Sequence, residues 1–509
     1  MADARSWWLV ENTLLLIAGT LAISIPLGTA LAVALYRTDI YFRRAAVAVL
    51  CLLLVVPLYL QAAAWQAGFG ASGWFTLLTA SPYQAGLLEG WRGAIWVHAV
   101  AAIPWVTMIV GASVRLVEPG LEELALLDGA PWQVFMRVTL RQALPTIGLS
   151  AVWVAIGVAT EMTVTDLFQT GATRLRTYAE EIYTQFALGT DPGPPPTALV
   201  GVAVTSCLAL FGVLLCMAVG RWRPQLSQRP LLVFRLGRWR GFASGLVGAG
   251  ALGTVGVPLV SLIYKAGVTL TPAGNEISRG WSLVKCAESV AASPVRYDRE
   301  LSWSLVIAVV AACSAMAVAL PLGWLARRGP WGGLPALILA VAALSVPGPL
   351  IGMALIAVFN WPSLPALNVL YDRSIVVVSS AQAIRAFPVA MFIVWHALRS
   401  IPNELLDAAA LDGAGRWTRF WRIAFPLRWP ALAVAWLAAF VVAIGELSAT
   451  IMVTPPGVDT LGTRVAQMLH FNIQNELAAL SLFLFLAGGI LLAIFFGIVR
   501  IAGRSRLVG

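Results

Sequence analysis

Eleven stretches of this chain run for about twenty residues or more with almost no charge, and few folds accommodate that. An apolar helix of about 20 residues matches the hydrocarbon thickness of a bilayer. In lipid, only helices and closed barrels satisfy every backbone polar group. The stretches cover 11–36, 45–67, 94–114, 146–167, 197–220, 241–264, 301–326, 332–359, 374–398, 431–453 and 476–499. They predict an all-α, polytopic transmembrane helical bundle of eleven spans, or twelve if one further helix is counted. Of the 509 residues, 59% are hydrophobic and 11% charged, against about 25% charged in soluble domains. That excludes an ordinary water-soluble enzyme. The first stretch follows Asp3 and Arg5 and precedes no small-residue cleavage site, so it reads as a span and not as a signal peptide.

The formal charge of +10 is a topology signal. Arg37, Arg43 and Arg44 follow the first stretch, and Arg115, Arg137 and Arg141 follow the third. Arg221, Arg223, Arg229, Arg235, Arg238 and Arg240 follow the fifth; Arg327 and Arg328 follow the seventh. Arg399, Arg416, Arg419, Arg422 and Arg428 follow the ninth, and Arg500, Arg504 and Arg506 follow the last. These 22 of 34 basic residues share one side, which the positive-inside rule makes cytoplasmic. The N-terminus is therefore expected outside and the C-terminus in the cytoplasm. A nucleic-acid partner would need the charge on one solvated face, so none is expected. Cysteines form no CxxC pair, and His98, His396 and His470 are scattered, so no metal site is expected.

The chain also repeats itself. An offset of 284 superposes Pro104 on Pro388, Arg115 on Arg399, Ala125 on Ala409 and Asp128-Gly129 on Asp412-Gly413. One inserted residue then superposes Phe135 on Phe420, Pro145 on Pro430, Glu161 on Glu446 and Thr165 on Thr450. Earlier, Pro26-Leu27-Gly28 matches Pro321-Leu322-Gly323, and Pro57 matches Pro347. Apolar composition explains matched hydrophobicity, but not matched Asp-Gly-Ala triplets in two polar loops. The organisation expected is a parallel duplication: a first unit over 1–225 with loop 115–145, a joining span and outer loop over 226–300, and a second unit over 301–509 with loop 399–430.

Each repeated loop reads as a short helix, a glycine turn and a second short helix ending at a proline that opens the next span. Gly129 and Gly413 are expected to supply turns that side chains would obstruct. Trp132, Phe135 and Met136, or Trp417, Phe420 and Trp421, interleave with arginines, as anchors for a protein partner's groove would, or as an interfacial helix lying on lipid headgroups would. Glu123-Leu124-Ala125 with Gly129 and Pro145, and Asp407-Ala408-Ala409 with Gly413, Ile423 and Pro426, resemble the cytoplasmic loop of ABC-importer permeases of the binding-protein-dependent class. Leu124 for alanine, Asp407 for glutamate, and Arg141-Gln142 near the expected Leu-Pro depart from that pattern. The resemblance implies that Glu123, Ala125, Asp128, Gly129, Asp407, Ala408, Ala409, Asp412 and Gly413 form coupling helices docking on ATPase subunits. It further implies a bacterial inner-membrane location, two copies of an ABC ATPase, and a periplasmic or lipid-anchored substrate-binding protein. Gly445–Thr450 and Pro455–Leu461 resemble the fused ferric-iron permeases within that class, with thiamine permeases as relatives; the alternative cargo is thiamine, a polyamine or another small solute. No phosphate-binding loop is present, since Lys265 and Lys285 are the only lysines and neither follows a glycine-rich run. No cofactor is expected in this chain; ATP and Mg would be bound by the partner ATPases.

Charges inside the membrane are expensive and should face the bundle interior or water. Glu161 and Glu446, at equivalent positions in the outer half, either line the translocation route or serve in interhelical hydrogen bonding or as a cap at a helix break. Arg385 has no counterpart, because Ala101 occupies its equivalent, and it either pairs with a glutamate, lines water or only packs. The outer residues Asp166, Arg174, Arg176, Glu180, Glu181 and Asp191 would face solvent and could meet a binding protein. Loop 221–240 is expected to touch anionic lipid headgroups. From a different class, a secondary transporter would also show a repeat, but would move solute without an ATPase. A membrane-embedded enzyme would need a clustered metal or nucleophile constellation, which the sequence lacks.

Overall fold

The computed structural model describes residues 4–79, 86–115, 117–168, 176–187, 196–221, 232–273, 276–327, 329–470 and 474–504. Arg174, Asp191, Arg223, Arg229, Arg328 and Arg506 lie outside the described residues. Among those described, nine helices are long and apolar enough to cross a bilayer, and two bent helix pairs bring the total to eleven if each pair is one span. Helices dominate throughout. A two-stranded antiparallel hairpin, β1 (Val268–Ala273) with β2 (Glu276–Trp281), is the departure from the all-α expectation.

The bent pairs correct the second and eighth stretches, which the sequence presents as single apolar runs. Arg43–Val55 and Leu58–Thr79 meet at 104°, and Gly332–Ser345 and Gly348–Phe359 at 109°. The breaks fall at the repeat-equivalent Pro57 and Pro347. A residue before proline is pushed out of the α region, and Val56 and Val346 are extended, with ψ of 121° and 123°. At the first break the freed carbonyls of Leu53 and Val56 accept from Gln61 Nε2 at 2.9 and 3.0 Å. Buried side chains thus re-satisfy the backbone where the ladder is lost. Pro26, Pro104, Pro321 and Pro388, by contrast, lie inside continuous helices.

Close packing groups the chain into two compact units. One comprises Met1–Glu181, Leu199–Ser293 and Gln467–Gly489; the other Ile182–Ala198, Pro294–Ala466 and Ile490–Gly509. The first is built on α1 (Ala4–Arg37), packed against α2 (Gly90–Val114) and α3 (Arg141–Thr160). The second is built on α4 (Asp298–Ala326), α5 (Val376–Arg399) and α6 (Phe425–Ile444), the counterparts of that trio. The shared Pro-Leu-Gly of α1 and α4 has a packing reason. A Cβ on Gly28 would stand 2.6 Å from Val106, and one on Gly323 2.8 Å from Val394. Only glycine lets the two helices of each unit approach so closely.

Candidate functional site

Each repeated loop presents a short helix, Pro119–Asp128 in the first unit and Asn403–Leu411 in the second. Proline at the first turn suits a helix start, where its missing N–H is not needed. Past the glycine, the sequence suggests a separate second helix and a proline opening the span. Instead the chain runs without a gap from Pro131 to Thr160, and from Arg416 to Ile444, with Pro145 and Pro430 inside. Both runs carry a π-helical turn at the same place, Phe135–Leu140 and Phe420–Ala424. A π turn inserts one extra residue into a helix and is common at functional sites.

The predicted docking residues are where a partner could reach them. Glu123, Asp128, Asp407, Ala408, Asp412 and Gly413 are exposed, and Ala125, Gly129 and Ala409 are half-buried. Leu127 and Leu411, at equivalent positions, are 80% and 90% exposed. Trp132, Met136, Trp417 and Trp421 are exposed as well, whereas Phe420 is buried against Trp324, with ring centroids 5.3 Å apart. Phe420 therefore belongs to the core and not to the docking face. The two glycines also differ. Gly413 has φ +83°, a left-handed conformation, but Gly129 is extended at φ −147°, which any residue adopts. Gly413→Val is expected to cost about 1–2 kcal/mol and to lower the ratio of uptake to ATP hydrolysis. Gly129→Ala should be nearly neutral in both, since its Cβ would press only on the flexible end of Gln133 at 3.2 Å and meet Ala125 O at an ordinary 3.5 Å. Thermal unfolding and the uptake-to-hydrolysis ratio of the two variants check this contrast.

What holds each loop to its unit is a feature the sequence reading passes over. In the first, Arg37 and Glu122 are fully buried and paired, and Thr139 Oγ1 also donates to the Glu122 carboxylate. Arg37 Nη1 donates to Val114 O at 3.2 Å. In the second, Arg327 reaches the equivalent carbonyl, Leu398 O, at 2.6 Å, and goes on to Ile401 O and Asn403 Oδ1. The counterparts of Glu122 and Thr139 are Leu406 and Ala424, buried with Trp324 and Phe420 in an apolar cluster. One repeat thus seats its loop on a buried ion pair and the other on a hydrocarbon core. Arg37 and Arg327 read in the sequence only as topology markers. Their spacing from the matched Pro-Leu-Gly differs, so the alignment does not pair them.

The intramembrane glutamates cap helix breaks. Glu161 accepts from Thr163 N at 2.6 Å and Val164 N at 3.0 Å, and His98 Nε2 stands 3.5 Å away. Glu446 accepts from Ala449 N at 2.7 Å, and from Thr450 N and Oγ1 at 2.9 and 2.7 Å. Gln382, the counterpart of His98, donates to Thr450 Oγ1 at 3.3 Å. The repeat thus preserves a carboxylate at the break and a polar side chain on the facing helix. Arg385 lies half-buried on α5. Two of the outer charges are not at the surface: Glu180 and Glu181 are each 1% exposed, and Glu181 pairs with Arg5 and with Arg176. Burial first, and then Asp166, push the Glu180 carboxyl up to about 8. No group of three or more potential metal ligands occurs among the described residues.

Two stretches of the chain match one family of known proteins. Residues 24–229 and 319–505 each match the family described as "Binding-protein-dependent transport system inner membrane component". The chain is 26% identical to the putrescine transport system permease protein PotI of Escherichia coli strain K12 over 211 residues, 39% of this chain and 72% of PotI. It is 32% identical to the sulfoquinovosyl glycerol transport system permease protein SmoG of Agrobacterium fabrum over 108 residues, 20% of this chain and 35% of SmoG. With the molybdenum transport system permease protein ModB of E. coli K12 it shares 38% over 71 residues, 14% of this chain and 31% of ModB. The chain therefore spans about a third of SmoG and ModB and nearly three quarters of PotI.

Proposed function

Because this chain belongs to the family of binding-protein-dependent transport system inner membrane components, we propose that it is the fused, two-unit permease of an importer for ferric iron. Permeases of ABC importers move solute and perform no covalent chemistry themselves. The observation that carries the reading is the pair of loop helices, each offering a leucine at least 80% exposed at the same repeat position. Two such surfaces in one polypeptide call for two ATPase copies, which bind ATP and Mg and close on hydrolysis cycles. Closure would pull both loops and reorient the helix trios between outward and inward states. A periplasmic or lipid-anchored binding protein would deliver the cargo from outside. The arginine bias supports loops and a C-terminus in the cytoplasm with the N-terminus outside, and the family membership supports a bacterial inner membrane.

The iron assignment rests on Gly445–Thr450 and Pro455–Leu461. Glu446 within that stretch caps the helix break, so the same residues also do local structural work. A polyamine is the rival cargo, favoured by the likeness to PotI along most of that protein's length. Proteoliposomes holding the permease, its ATPase and its binding protein separate the two. Ferric iron on the binding protein should stimulate both hydrolysis and uptake, and putrescine neither. Stimulation by putrescine alone would replace the cargo, and uptake without any ATPase would sink the importer reading. In the same vesicles, Glu161→Gln with Glu446→Gln should lower uptake if the pair, with Arg385, lines the route. The amide oxygen retains a cap acceptor, so unchanged uptake in a stably folded double variant removes these residues from the route.

A further inference from the structure

The helix end that carries the first loop also carries a cleft that neither loop uses. Beyond Arg37 the chain folds back along the segment leading into the helix Arg240–Ala251. Phe234 N–H donates to Arg37 O at 2.8 Å, Leu236 N–H to Asp39 Oδ1 at 3.0 Å, and Tyr41 N–H to Ser244 Oγ at 2.9 Å. These bonds frame a cleft of about 490 Å³ lined by Thr38, Asp39, Phe42, Arg43, Arg44 and Arg240.

Its charges do not balance. Arg240 lies 3.6 Å from Asp39 Oδ2 and stacks on Tyr41 at 3.9 Å. Asp39 already serves the Leu236 N–H, which together with Arg240 holds its carboxyl below the usual carboxylate range. Arg43 and Arg44 are exposed and meet no carboxylate among the described residues. The cleft is thus lined by three guanidinium groups and one carboxylate, and only Arg240 meets that carboxylate. The rim is aromatic: Tyr41, Phe42, Trp239 and Phe242 are 49%, 85%, 57% and 67% exposed. Phe42 has φ +54°, a conformation that a residue with a side chain rarely adopts. Large rings are costly in a water-facing loop and favourable at the headgroup level of a bilayer. The cleft adjoins the ends of two apolar helices, Arg5–Arg37 and Gly237–Gly267, which places it at that level.

We propose that this cleft binds the phosphodiester headgroup of an anionic membrane lipid, with Arg43 and Arg44 meeting the phosphate and Arg240 held behind them by Asp39 and Tyr41. Guanidinium groups bind phosphate oxygens in paired, charge-assisted hydrogen bonds. A soluble anion would need the arginines but not the aromatic rim. The inference does not depend on the cargo.

The test uses the full chain, delipidated in neutral detergent, with phosphatidylglycerol binding followed by native mass spectrometry and thermal unfolding. Arg43→Gln with Arg44→Gln should weaken binding roughly 30-fold, since each basic group near an anionic surface contributes about five-fold. Arg43→Lys with Arg44→Lys should restore most of it. Both side chains are exposed, so the fold should survive the exchange. Arg416→Gln with Arg422→Gln removes the same charge elsewhere and should leave binding unchanged. Equal binding by wild type and the first glutamine pair overturns the site. Equal losses from both glutamine pairs would mean diffuse attraction and overturn it too. Displacement of phosphatidylglycerol by inorganic phosphate, with equal stabilisation, would assign the cleft to a soluble phosphate ester and overturn the lipid.

Discussion

Glu122→Leu alone should destabilise the first unit by about 3–5 kcal/mol, the usual penalty for stranding one member of a buried ion pair. Arg37 would keep its charge with no exposed surface to offer water. Thr139 would lose its acceptor, and the helix Pro119–Asp128 would lose the tie that seats it. Yet the second unit shows that a carboxylate is not needed at this place, because Leu406 and Ala424 fill the positions equivalent to Glu122 and Thr139 in an apolar cluster. Arg37→Met, Glu122→Leu and Thr139→Ala together should therefore recover most of the lost stability. Replacing buried ion pairs by hydrocarbon of similar volume is often neutral, or stabilising by about 1–4 kcal/mol. Thermal unfolding of the single and triple variants decides the matter. A Glu122→Leu change under about 0.5 kcal/mol, the range of ordinary surface substitutions, would mean the pair is not buried as described. A triple variant no better than the single would mean that Val114 O cannot do without the guanidinium.

Much of the architecture is legible in the residues, because lipid permits so few alternatives. Nine of the eleven apolar runs are membrane-length helices among the described residues, and the matched Asp-Gly-Ala triplets identify the duplication without any geometry. The bends at Pro57 and Pro347 are legible only in part. Proline signals a disturbance, but the same residue inside α2 or α5 leaves the helix continuous, so the pattern alone does not say where the freed carbonyls find partners. Gln61 is that partner at the first break. The glutamate caps are legible as one of several options, and geometry supplies the partners. The loop anchors are the clear loss. Arg37 to Glu122 spans 85 residues, and nothing in either local pattern connects them. An arginine at the end of an apolar run carries a topology reading strong enough to hide a second role. Phe420 misleads for a related reason: its neighbours Trp417 and Trp421 are exposed, while Phe420, the first residue of the π turn, is buried.

Leu127→Asp and Leu411→Asp should abolish coupled uptake while leaving the permease folded. Truncating an anchor at the centre of a protein interface costs about 2 kcal/mol or more, and a buried carboxylate without a partner costs more still. Both leucines are already in solvent in the isolated chain, so charge there carries no penalty within the fold. Neutral coupling surfaces would have no reason to keep leucine at such exposure in both repeats, flanked by Asp128 and Asp412 in the same register. The single variants carry extra information. If each loop docks one ATPase copy, either leucine alone should reduce binding by about half when copies per permease are counted. Uptake should fall much further, since one docked copy cannot close on a partner. Full ATPase binding by the double variant would detach these helices from coupling. Loss of binding together with loss of thermal stability would assign the leucines to packing. Only lost binding at unchanged unfolding temperature fits two loop helices that present leucine to a separate protein.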